Sequence, residues 1–147
     1  MKSESPPRIT LRRRPDAAVT EAIRKGLNGY NTAQASLRDY TPVQVAARSP
    51  AGRVIGGLEG YIGYRWLFIR WLWIDAKHRR SGLGRVLIAR AEDLARKRGA
   101  IGAWVDTFSF QARPFYEKLG FRLFGTIDDY PPGHKRFFLK KRFRRGG

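Results

Sequence analysis

The 147-residue sequence predicts an α/β fold, a mixed β-sheet flanked by helices, and three observations carry that expectation. Trp66 to Asp75 is a nearly unbroken apolar and aromatic run, which fits a buried central strand of a mixed sheet better than a half-exposed one. A loop with two glycines follows, Arg79-Arg80-Ser81-Gly82-Leu83-Gly84, and then a segment of helical period from Arg85 to Arg98. Around these, segments of strand and helical period run in the order strand, one or two helices, three strands, helix, strand, helix, two strands.

Each element has a local reason. Ile9 to Arg13 alternates apolar and basic residues and reads as a first strand ended by Pro15-Asp16, after which Asp16 can cap a helix. Val19, Ala22, Ile23, Leu27 and Tyr30 then share one helical face. Asn28-Gly29 is expected to break or kink that helix, with a second short helix over Thr32 to Leu37. Thr41 to Ala47 is a strand, Ser49 to Gly52 a turn, and Val54 to Tyr64 a strand whose glycines at 56, 57, 60 and 63 imply close backbone approaches. The helix after Gly84 turns Val86, Leu87, Ala91 and Leu94 inward and Arg85, Glu92, Asp93, Arg96 and Lys97 outward, closing at Arg98-Gly99. Ala103 to Phe108 is a strand, Gln111 to Leu119 a short helix stopped by Gly120, and Phe121 to Ile127 a strand. Asp128 to His134 is a Pro-Gly loop before a last strand, Lys135 to Phe143. The chain is expected to be one domain, 1–147, with loose tails over 1–8 and 143–147.

Composition narrows the classes. There is no cysteine, which excludes disulfides, thiolate metal sites and a cysteine nucleophile and fits a reducing cytoplasm. No apolar run approaches the roughly 20 residues that span a bilayer, and Met1 to Pro7 lacks the apolar core of a signal peptide, so a soluble cytoplasmic protein is expected. His78 and His134 alone make a metal site improbable. The net charge of +18, from 30 Lys and Arg against 12 Asp and Glu, favours nonspecific contact with nucleic acid. Yet the basic residues are spread from Arg8 to Arg145 without a nucleic-acid motif, so solubility and a multiply charged anionic ligand account for them better.

The loop is where such an anion would sit. Two glycines before a helix let backbone N–H groups approach it closely, and the helix N-terminus adds roughly half a positive charge there. Arg79 to Gly84 together with Phe115-Tyr116-Glu117-Lys118-Leu119-Gly120-Phe121 resembles the GNAT superfamily of N-acetyltransferases. The first segment is similar to that family's acetyl-CoA motif, the second to its Phe-Tyr-x-Lys-x-Gly-Phe signature, in the family's order and with a likeness covering nearly the whole chain. The resemblance implies the GNAT-like acyl-CoA N-acyltransferase fold and an N-acetyltransferase that uses acetyl-CoA as co-substrate, without a metal.

It also implies roles. Leu72, Trp73 and Ile74 would pair through their backbones with the pantetheine arm, a backbone N–H near Ile74 polarising the thioester carbonyl, and Arg79, Arg80, Ser81, Gly82, Leu83, Gly84 and Arg85 would hold the pyrophosphate. Tyr116 aligns with the tyrosine that protonates the departing thiolate, for which a phenol of pKa near 10 is chemically suited. Ser109 stands where the family often has an asparagine contacting the arm, so Ser109 contacts it through water or Gln111 takes over. Trp104 stands where a few relatives carry a glutamate base, and Asp106 on the same strand face is the nearest substitute, followed by Glu59 and Asp75, unless Asp106 is a cap or an ion-pair partner. His134 fits a loop hydrogen bonder better than a base.

Gly56 to Gly60 and Asp129 to His134 are expected to flank the acceptor cleft, and Glu59, Asp75, Asp106, Asp128 and Asp129 would welcome a cationic amine. The leading expectation is therefore acetyl transfer to a small primary amine. A protein amine is the alternative, and a non-catalytic nucleic-acid module a third. A monomer or, through an exposed last strand with Phe137, Phe138 and Phe143, a homodimer is allowed.

Overall fold

The computed structural model describes residues 3–35 and 40–145, and the chain parts into two compact units, Met1–Leu37 and Arg38–Gly147. In the first unit Asp16 caps α1 (Ala17–Gln34), its carboxylate accepting from the N–H groups of Ala18 and Val19. The helix runs through Asn28-Gly29 without the expected break. One glycine costs only about 1 kcal/mol in a helix, which the Asp16 cap and the Glu21 ion pairs with Arg24 and Lys25 help to offset. Thr32 to Gln34 complete α1 rather than start a second helix, and residues 36 and 37 lie outside the described residues. The strand expected over Ile9 to Arg13 does not form: two apolar side chains between arginines supply too little burial to hold a strand on their own.

The second unit holds a six-stranded sheet made of β1 (Thr41–Arg48), β2 (Val54–Gly63), β3 (Trp66–Ile74), β4 (Gly102–Phe108), β5 (Arg122–Asp128) and β6 (Lys135–Arg142), in the order β1-β2-β3-β4-β6-β5. All neighbours are antiparallel except β3 and β4, which run parallel because α2 (Leu83–Lys97) crosses over between them. A short helix, α3 (Arg113–Lys118), joins β4 to β5. The last strand is not at an edge as expected but lies between β4 and β5, which leaves β5 as the outer strand. Phe143 is likewise no loose tail: its N–H donates to the Ile101 carbonyl and its ring packs on the core under the Arg96 guanidinium.

The core lies between one sheet face and α2, with Leu58, Ile62, Leu67, Val105 and Leu139 buried from the strands. From α2 come Leu87, Ile88, Ala91 and Ala95, so the inward face is rotated from the expected one. Val86 is half exposed, and Glu92, expected outside, is buried with both carboxylate oxygens on Lys141 at 2.9 Å. The charged pair replaces water for both partners, which lets the helix bury that position.

Candidate active site

The site begins where a strand pair stops pairing. β3 and β4 are hydrogen-bonded from Trp66 opposite Gly102 to Ile69 opposite Val105, and no further. A bulge causes the divergence: Gly60 pairs with Ile69 and Glu59 with Trp71, so Arg70 is an extra residue that bends β3 away. Gly60 is needed there, since a Cβ would collide with the Phe68 carbonyl. Beyond the bulge β3 keeps β2 on one side and β4 keeps β6 on the other, while their facing edges open a wedge. The continuous burial expected of Trp66 to Asp75 therefore ends at Ile69, and Trp71 and Trp73 are 58% and 51% exposed. Leu72 and Ile74 pack partly on the core, so what the wedge offers at Leu72, Trp73 and Ile74 is backbone, suited to an extended ligand lying as a surrogate strand.

The glycine loop sits at the mouth of the wedge. After Ile74 a 3₁₀ turn (Ala76–His78) leads to Arg79, whose Nε donates back to the Ile74 carbonyl at 3.1 Å, while Ser81 Oγ donates to the His78 carbonyl. Arg79 and Ser81 thus brace the loop. Arg80 and Gly82 take left-handed φ of 63° and 82°, and α2 starts with the Val86 N–H bonded to the Gly82 carbonyl. Leu83, Gly84 and Arg85 lie in that first turn, where the helix itself supplies no acceptor for their N–H groups.

The two glycines have different causes. Gly82 is required by its φ, with open space where a Cβ would stand. Gly84 is required by packing, because a Cβ would come 3.0 Å from the Phe115 ring and hold α2 and α3 apart. Gly56 does similar work on β2, where a Cβ would meet Ile74 at 3.0 Å and Leu83 at 3.5 Å.

Tyr116 and Asp106 stand on the other wall. Tyr116 is 7% exposed, its ring edge-on to Phe115 and Phe121, and burial first and the Asp106 charge second push its phenol up to about 12. It packs the helix and holds its proton throughout the physiological range. Asp106 is an ion-pair partner: its Oδ1 accepts from Nε and Nη2 of Arg136 at 3.1 and 2.8 Å, and Arg136 Nη1 donates to the Tyr130 hydroxyl at 2.9 Å. Oδ2 keeps no such partner among the described residues.

Other expected residues have separate tasks. Ser109 accepts the Lys135 N–H at 3.0 Å and lies 3.3 Å from His134 Nδ1, so it ties β4 to the start of β6. Gln111 Oε1 accepts from the Phe108 N–H and the Thr107 hydroxyl. Glu59 holds Gln44, and Asp75 lies against His78 and Arg53. Tyr130 lies in the loop expected to flank the cleft, whereas Arg136 was not expected: only the register of β4 against β6, with Phe108 opposite Arg136, brings it to Asp106. Among the described residues there is no cluster able to hold a metal ion and no helix long and apolar enough to cross a membrane.

The comparisons agree with this geometry. Residues 14–121 match the model of the acetyltransferase (GNAT) family. The chain is 48% identical over 91 residues, 61% of its length and 67% of the relative's, to a blasticidin-S acetyltransferase of Streptomyces morookaense. It is 35% identical over 128 residues, 87% of its length and 93% of the relative's, to an acetyltransferase of Agrobacterium fabrum. A crystal structure of an acetyltransferase from Bacillus cereus superposes with a TM-score of 0.82 at 29% identity, covering 91% of this chain and 98% of that one. This chain belongs to the GNAT family of acetyltransferases.

Proposed function

We propose that this GNAT-family acetyltransferase moves the acetyl group of acetyl-CoA onto a primary amine of a small molecule by direct attack on the thioester. The observation that carries the reading is the wedge beyond Ile69 and Val105, with the N-terminus of α2 at its mouth and Tyr116 and Asp106 beside it. The free backbone edge of β3 at Leu72 to Ile74 suits the pantetheine arm, and the amides of Leu83, Gly84 and Arg85 suit the pyrophosphate, with Arg80 and Arg85 adding attraction. Arg79, Ser81 and Gly82 shape the loop, and Ser109 fixes the strand end from which the acceptor approaches.

The neutral amine adds to the thioester carbonyl, the oxyanion takes a hydrogen bond from backbone N–H near Ile74, and C–S cleavage releases the thiolate as the C–N bond is completed. Tyr116, kept protonated by burial, gives its proton to that thiolate; the amine's surplus proton leaves through Asp106 Oδ2, and solvent closes the cycle. The products are an acetamide and free coenzyme A. Support for a small acceptor comes from the relative named a blasticidin-S acetyltransferase.

Release of coenzyme A thiol from acetyl-CoA, measured against small amines and peptides, tests the reading, and a chain with no cysteine adds no thiol background. Release with small amines, reduced by more than about tenfold in Asp106→Asn at an unchanged acetyl-CoA KM, is expected. Release with peptides alone would move the acceptor to protein amines. Failure to bind acetyl-CoA would overturn the reading.

A further inference from the structure

Where β4 ends, the sheet presents an open concavity lined by Phe108, Phe110, Asp129, Tyr130 and Pro131. Phe108 stacks parallel to Phe110, with centroids 5.2 Å apart and planes 2° apart, and stacks on Tyr130 at 5.6 Å with planes 25° apart. Phe110 is 57% exposed and Tyr130 41%, yet both rings are held by neighbouring side chains. His134 meets Phe110 edge-on at 4.9 Å, Arg136 holds the Tyr130 hydroxyl, and Ser109 clamps the loop through the Lys135 N–H. Exposed aromatic rings held this firmly form a shelf ready for a flat partner.

The rim carries a charge left for a ligand. In a chain with 30 basic residues, Asp128 is paired with Lys135 at 3.2 Å, but Asp129 beside it makes no ion pair among the described residues. Its φ of 53° is a left-handed conformation uncommon outside glycine, at the edge of the shelf. Two of the shelf rings already carry a cation, the Arg136 guanidinium lying 5.5 Å from the Phe108 ring centre and 5.0 Å from that of Tyr130. Ring stacking and ion pairing are therefore separated within one concavity. Phe108 lies two residues beyond Asp106 on the same strand face, so what rests on the shelf is beside the wedge.

We propose that the exposed ring of Phe110, backed by Phe108 and bordered by Tyr130, stacks against a planar aromatic ring of the acceptor while Asp129 holds a cationic group on that ring, making the substrate class a flat, positively charged aromatic amine. This rests on the acetyltransferase reading above and adds the acceptor's chemistry. The probes are matched amines: benzylamine against cyclohexylmethylamine, equal in size but puckered, and 4-(aminomethyl)benzamidine against its neutral carboxamide.

The full-length protein is expected to favour the flat amine by about tenfold in kcat/KM and the benzamidine over the carboxamide by a similar factor. Phe110→Ala, and Phe110→Leu as a gentler change, should collapse the first preference, and Asp129→Asn the second, each in a protein whose melting temperature stays that of the parent. Equal rates for flat and puckered amines, or preferences that survive these substitutions, overturn the proposal while leaving acetyl transfer intact. If no amine is acetylated, the function reading fails separately, and direct titration of 4-(aminomethyl)benzamidine decides the shelf. Saturable binding weakened in Phe110→Ala supports it, and no binding overturns it.

Discussion

From Trp66 to Ile69 and from Gly102 to Val105, β3 and β4 are bonded to each other, and Leu67, Ile69, Ala103 and Val105 are buried beneath α2. From Arg70 onward the same strands carry similar residues, yet they part, Trp71 and Trp73 face outward, and backbone groups are left for a ligand. One bulged residue separates the two regimes. Hydrophobicity alone does not place a strand in the core; the partner strand does, and where the partner leaves, the same composition becomes a binding wall.

The largest effect that would sharpen this contrast lies in the closed half. Leu67→Ala removes a fully buried side chain and should cost about 2–5 kcal/mol in denaturant unfolding, with the acetyl-CoA KM of the folded protein unchanged. A shifted KM with normal stability would mean that the halves are not separate.

Tyr116→Phe, in the open half, should lower kcat by about 10²-fold while acetyl-CoA binding holds. A pH series adds a signed test. Because burial raises the folded-state phenol to about 12 while the unfolded value is near 10, the folded protein holds this proton more tightly. Its contribution to stability is complete below about pH 10 and is lost as pH rises from 10 to 12. The phenylalanine variant should lack that part of the alkaline decline, and an identical decline in both proteins would remove Tyr116 as its cause.

The smallest effect belongs to the loop. Gly84→Ala sets a Cβ against Phe115 at 3.0 Å and should tilt the start of α2, raising the acetyl-CoA KM by about threefold with little change in kcat. An unaltered KM would place the anion elsewhere.

Much of this was legible in the chain. The strand, glycine loop and helix around residue 82 were readable because glycine and periodicity act locally, and six strands fell within a residue or two of their expected bounds. Spatial order was not. Nothing in Lys135 to Phe143 says that this strand lies between two others, and only the register brings Arg136 across from Phe108 and within reach of Asp106. The helical face of α2 was misjudged by one position because Glu92 is buried by a lysine 49 residues away, a pairing no local pattern announces. The strand over Ile9 to Arg13 failed for the opposite reason, a good local pattern with too little apolar surface behind it.

The place of β6 has a consequence for how the molecule is made. Among the strands of this sheet, the one that closes on β4 is translated after the others, so the glycine loop, Asp106 and Tyr116 leave the ribosome ahead of the segment that carries Arg136. Until Lys135 to Arg142 threads between β4 and β5, both strands have open flanks and the acid site has no counter-charge. A released chain cut before β6 would keep unpaired edges on β4 and β5 and lack the Asp106 counter-charge, and is expected to aggregate rather than turn over.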